Sequence, residues 1–85
     1  MQKQRVLVVE DDTAIRRGIV DALNYSGYDT FEADHGDRGM EMAIEVDYDV
    51  ALLDLVLPGQ YRGLDILEKI RQTRPTMPVI IITAM

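Results

Sequence analysis

Arg5-Val-Leu-Val-Val-Glu-Asp-Asp12 decides the architecture. Four consecutive apolar residues, three of them β-branched, stop abruptly at three carboxylates. A short continuous apolar run bounded in this way reads as a strand covered on both faces, the pattern of a parallel sheet. Two later stretches repeat the theme. Val50-Ala-Leu-Leu-Asp54 is a second buried strand ending in a carboxylate, and Val79-Ile-Ile-Ile-Thr83, introduced by Pro78, is a third that ends in a hydroxyl.

Helical segments fill the intervals. Ile15, Ile19, Ala22 and Leu23 form an apolar stripe with Arg16, Arg17 and Asp21 off it. That spacing predicts an amphipathic helix, capped at its start by Asp12 or Thr13 and closed by Gly27. Tyr28 to Ala33 alternates as a strand does, and Asp34 to Asp37 reads as a loop. Met40, Ala43 and Ile44 then mark a second helix. Leu55 to Gly63, with Pro58 and Gly59, reads as a loop. Leu64, Leu67 and Ile70, with Ile66 alongside, mark a third helix. It ends before Arg74-Pro75, since a residue preceding proline avoids the helical region. The order is therefore β-α-β-α-β-α-β, which predicts right-handed crossovers and a parallel sheet with helices on both faces.

Composition narrows the function classes. The 85 residues allow one small domain with a modest core. A hydrophobic content of 47% and a charged content of 28% are those of a globular protein. Cysteine is absent, which excludes disulfides and thiolate zinc sites and fits a reducing, cytoplasmic setting. The net charge of −6 disfavours direct contact with nucleic acid or an anionic membrane. The longest apolar runs are too short to span a bilayer, and no signal peptide is read at the start.

The chemistry lies where strands end. In parallel α/β sheets ligands bind at the carboxyl ends of the strands, and connectivity brings Glu10, Asp11, Asp12, Asp54 and Thr83 to that one edge. Carboxylates so crowded need compensation. An all-oxygen donor set favours a hard cation, and Mg²⁺ suits one or two carboxylates, a main-chain carbonyl, waters and a phosphate oxygen. Asp11, Asp54 and the Val56 carbonyl are placed in the inner shell, with Glu10 reaching the ion through water. Asp54 is then a feasible nucleophile towards a phosphoryl group, with the Thr83 hydroxyl on one phosphoryl oxygen.

Three strings, Val-Leu-Val-Val-Glu-Asp-Asp, Leu-Leu-Asp-Leu-Val-Leu-Pro-Gly and Val-Ile-Ile-Ile-Thr-Ala, resemble those of bacterial two-component response regulator receiver domains (CheY-like). The likeness runs along the whole chain, in register and in order. It implies a doubly wound parallel sheet of flavodoxin type with strand order 2-1-3-4. It further implies that Asp54 accepts a phosphoryl group from a phosphohistidine on a sensor histidine kinase. Glu10 and Asp11 would be the acidic metal pair and Thr83 the switch hydroxyl. A downstream effector, DNA-binding in many relatives, would lie outside residues 1–85.

Two departures stand out. Pro58-Gly-Gln-Tyr-Arg-Gly63 is one residue longer than the usual Pro-Gly-x-x-Gly. The family also has a fifth strand ending in a lysine and two further helices, for which this chain has no counterpart. The expectation is a receiver domain incomplete at its C-terminus, whose 79–83 strand is an exposed edge open to self-association. Two other functions compete. An aspartyl phosphatase would carry an acid/base Asp two residues beyond the nucleophile, where this chain has Val56. A receiver-like module that only docks is the other. His35 reads as a solvated loop residue, and Arg16, Arg17, Arg71 and Arg74 as solvated helix faces.

Overall fold

The computed structural model describes residues 3–82. Seven elements alternate: β1 (Arg5–Val9), α1 (Thr13–Tyr25), β2 (Asp29–Ala33), α2 (Gly36–Glu45), β3 (Val50–Asp54), α3 (Gly63–Thr73) and β4 (Val79–Ile82). The four strands form one parallel sheet in the order β2-β1-β3-β4. Both features match the reading of the sequence.

β1 lies between β2 and β3, and Val6 to Val9 are fully buried. Successive side chains alternate between faces. Leu7, Val9, Ala51 and Leu53 therefore join the larger core under α2 and α3, with Ala43, Ile66 and Ile70. Val6 and Val8 pack with Val20, Ile19 and Leu23 of α1 on the other face. The continuous apolar run of β1 thus reflects cover on both sides.

α1 begins where expected. Asp12 is its N-cap, and its Oδ1 accepts from the Ile15 N–H at 2.9 Å. At the far end Gly27 adopts φ +94°, and the N–H groups of Gly27 and Tyr28 donate to the Asn24 and Leu23 carbonyls. That is a Schellman closure, and its left-handed position favours glycine.

Several expectations need correction. α2 starts at Gly36, inside the stretch read as a loop, because the His35 Nδ1 caps it by accepting from the Arg38 N–H at 3.0 Å. The buried side chain of α1 is Val20, while Ile15 and Ala22 are exposed. In α2, Met42 and Ala43 are buried and Ile44 is exposed; in α3, Ile66 and Ile70 are buried and Leu64 is exposed. The apolar run of β4 reads as a covered strand and its place in the sheet as an exposed edge; Ile80 and Ile81 are exposed, in line with the second reading. Among the described residues β4 pairs with β3 alone.

Arg16 and Arg74 are only partly exposed, and both are engaged by hydrogen bonds. The Arg16 guanidinium bonds the Glu10 carbonyl at 2.8 Å and Glu32 at 3.1 Å. Arg74 bonds Asp47 at 2.8 Å and also the Ala43 carbonyl. Arg71 bonds the Met77 carbonyl.

Candidate metal and phosphoacceptor site

β1 and β3 are adjacent and parallel, so Val9 stands beside Leu53 and the residues that follow them share one edge. Glu10, Asp11 and Asp54 meet there, each offering a carboxylate oxygen within 4.8 Å of the others. With Asp12, Ile15 and Val56 they line a hollow of about 290 Å³. The topology therefore brings four of the expected site residues together. Thr83, the fifth, lies outside the described residues.

Burial differs sharply among the three acids. Glu10 is only 1% exposed and Asp54 6%, whereas Asp11 faces solvent. Among the described residues, neither carboxylate oxygen of Glu10 has a hydrogen-bond partner. Buried charges are normally paired or bound to metal. The Glu10 carboxyl is pushed up from 4.5 to about 7, first by burial and then by the neighbouring Asp54 and Asp11. Burial and these two neighbours disfavour its charged form. Two buried, partnerless oxygens beside a second buried carboxylate and an exposed third fit a hard cation that keeps part of its water shell.

The backbone sets the geometry of Asp54. Its Oδ1 accepts from the Val56 N–H at 3.0 Å, which couples the carboxylate to the loop after β3. On the other strand, Arg16 holds the Glu10 carbonyl, and the Glu10 N–H donates to Ala33 at 3.1 Å. The acidic turn is thereby fastened to both α1 and β2. The sequence offers little warning of Arg16: only its distance of six residues from Glu10.

Gly63 closes the loop against the site. A Cβ there would run into the Asp54 carbonyl and lie 2.7 Å from the Leu55 Cα. Backbone cannot yield as a flexible side chain does. Gly63→Ala should cost about 1–3 kcal/mol as an overpacking substitution. It should also move the amide resonances of residues 54–56, checked by urea unfolding and NMR. An unchanged midpoint with unmoved resonances would contradict the tight contact.

A second hollow, of about 450 Å³, lies at the opposite end of the sheet between Asp47 and Pro78. Its carboxylates are already engaged, Asp47 with Arg74 and Asp49 with the Arg5 N–H at 2.7 Å. The acidic edge is the better supported site.

Comparison with known proteins agrees with this fold. Residues 6–85 match the family described as the response regulator receiver domain. The transcriptional regulatory protein YkoG of Bacillus subtilis, itself uncharacterized, is 39% identical over 84 residues, which are 99% of this chain and 36% of that protein. ResD, a transcriptional regulatory protein of the same organism, is 38% identical over 94% of this chain and 32% of its own. The chain thus spans about a third of the length of these curated relatives. Among solved structures, a CheY-like receiver domain from Methanospirillum hungatei superposes with a TM-score of 0.91 at 32% identity, covering 99% of this chain and 66% of that one. The response regulator TrrA of Thermotoga maritima, solved in complex with Mg²⁺ and BeF, gives 0.87 at 30% identity over 96% of this chain and 70% of its own.

Proposed function

The chain belongs to the response regulator receiver domain family, and on that footing we propose that Asp54 is its phosphoacceptor and that Mg²⁺ is its cofactor. The observation that carries this reading is Glu10: buried beside Asp54 and Asp11, with both oxygens unpartnered among the described residues.

Asp11, Asp54 and the Val56 carbonyl would hold the ion, with Glu10 behind them through water. When bound, Mg²⁺ supplies positive charge against the oxygens of a transferring phosphoryl group. An Asp54 oxygen attacks phosphorus, a new O–P bond forms, and the P–N bond to a kinase histidine breaks, leaving the imidazole with the electron pair. The Val56 N–H holds Asp54 Oδ1, which leaves Oδ2 as the attacking oxygen on this reading. The acyl phosphate adds about −1.5 to −2 charges at this edge, enough to reorganise neighbouring loops. Thr83, next in sequence after β4, is proposed as the hydroxyl that senses it.

Chemistry at Asp54 is self-directed on this reading: the domain takes its own phosphoryl group and loses it to water. The phosphodonor is a sensor histidine kinase, and the receiver of the signal is an effector domain or protein. A net charge of −6 makes this domain a poor nucleic-acid partner itself. No helix among the described residues is long and apolar enough to cross a membrane. A cytoplasmic setting is proposed on the strength of the family and the absence of cysteine.

Titrating Mg²⁺ while following amide resonances tests the cofactor. Residues 10–12 and 54–56 should move first, at millimolar metal, because few protein ligands surround the ion. Unmoved resonances there in a folded sample would remove the metal from the proposal.

A further inference from the structure

We propose that Asp37 is a positioning residue of the phosphoacceptor site, acting through the loop that follows Asp54. The inference rests on the metal reading above and extends it to a side chain outside the acidic edge.

The loop from Leu55 to Arg62 is the segment whose spacing departs from the family pattern, and α2 fastens it. Asp37 Oδ1 accepts two main-chain N–H groups from it, Gln60 at 2.8 Å and Tyr61 at 3.0 Å. The Gly36 N–H donates to the Pro58 carbonyl at 3.0 Å. A Cβ on Gly36 would collide with the Tyr61 carbonyl, so α2 and the loop meet backbone to backbone. Gly59 takes φ +104° and turns the chain so that its next two N–H groups reach one carboxylate oxygen.

The other half of the loop belongs to the site. Val56 donates to Asp54 Oδ1 and lines the acidic hollow. Leu57, 5% exposed, is its anchor in the core. Asp37 therefore fixes the outer half of a short arch whose inner half orients the Asp54 carboxylate and carries the Val56 carbonyl. Losing two main-chain hydrogen bonds frees the outer half. Partners that orient a ligand set typically govern metal affinity by about ten- to a hundredfold. Asp37 is exposed, so its removal leaves the core intact.

The test compares wild type, Asp37→Asn and Asp37→Ala by amide hydrogen exchange and by Mg²⁺ titration in NMR. The Asn carbonyl can accept the same two N–H groups without charge. With Asp37→Ala, exchange at Gln60 and Tyr61 should quicken and the Mg²⁺ dissociation constant rise by about tenfold, while sheet amides keep their shifts. Asp37→Asn should stay within about twofold of wild type in both readouts, since its acceptor geometry is kept. Equal weakening by Asn and Ala would assign the effect to charge and overturn the proposal. Undiminished Mg²⁺ affinity in Asp37→Ala, with wild type binding normally, would overturn Asp37's role alone. A wild type that ignores Mg²⁺ would overturn the metal reading and this inference with it.

Discussion

In the full-length protein, Asp54→Asn should bring labelling by a small acyl-phosphate donor in the presence of Mg²⁺ to background, whereas the wild type should gain one phosphoryl group. The replacement is nearly isosteric, and an Asn oxygen can still accept the Val56 N–H that Asp54 Oδ1 accepts now. Packing around a residue only 6% exposed is therefore preserved. What disappears is the nucleophile: an amide oxygen is a far weaker one than a carboxylate, and no acyl phosphate can form on it. Intact mass spectrometry reads the result directly. Equal labelling of the Asn variant would show that another carboxylate, Asp11 being the exposed candidate, takes the group. Donor consumption far beyond one equivalent would favour phosphatase turnover. A wild type that binds Mg²⁺ but never labels would favour the docking module.

How much of this could be read from residues alone follows from where the information sits. The strand runs at 6–9 and 50–53 carry their own evidence, since apolar side chains in unbroken succession suit cover on two faces, which is complete over Val6 to Val9 and partial at Val50 and Leu52. Once the elements alternate, topology forces Glu10, Asp11 and Asp54 to one edge, and the structure brings their carboxylates within 4.8 Å. In β4 the apolar run and the expected edge position pull apart, because an apolar run records a capacity for cover, while cover itself depends on neighbouring elements. Among the described residues, Ile80 and Ile81 have little over them. Helix phase was less legible again. In α2, with Met40, Met42, Ala43 and Ile44 all apolar, the stripe can be drawn through more than one set, and packing selects Met42 and Ala43. The start of that helix depended on His35 serving as a cap, a role more usual for Ser, Thr, Asp or Asn. Contacts such as Asp37 with Gln60 and Tyr61, across 23 and 24 residues, leave no local trace at all.

The acidic edge should also make stability depend on pH in a direction opposite to that of most carboxylates. Glu10 rises from 4.5 to about 7 in the folded protein, chiefly through burial. A carboxyl with a higher pKa folded than unfolded holds its proton more tightly when folded. Its stabilising contribution is complete below the unfolded value near 4.5 and is lost as pH climbs through about 7. At 1.36 kcal/mol per pH unit, the loss across that window is about 3 kcal/mol at most. Against a total of roughly 5–10 kcal/mol for a small domain, this is large. Asp54 and Asp11 are among the causes of the Glu10 rise, so the size of the loss depends on them as neighbours. In urea unfolding without divalent cation, the wild type should therefore be weaker at pH 8 than at pH 5. Adding Mg²⁺ should restore stability at pH 8 far more than at pH 5, because the ion binds the deprotonated acids and competes with their protons. Glu10→Gln removes the buried charge while keeping the side chain's size. It should raise metal-free stability at pH 8 by about 3 kcal/mol at most, flatten the pH dependence, and weaken the gain from Mg²⁺. A Glu10→Gln protein with the same fall between pH 5 and pH 8 as the wild type would assign that fall to other groups. The three measurements together separate a carboxyl buried for function from one buried for packing: only the first destabilises the empty fold and stabilises it once the cation arrives.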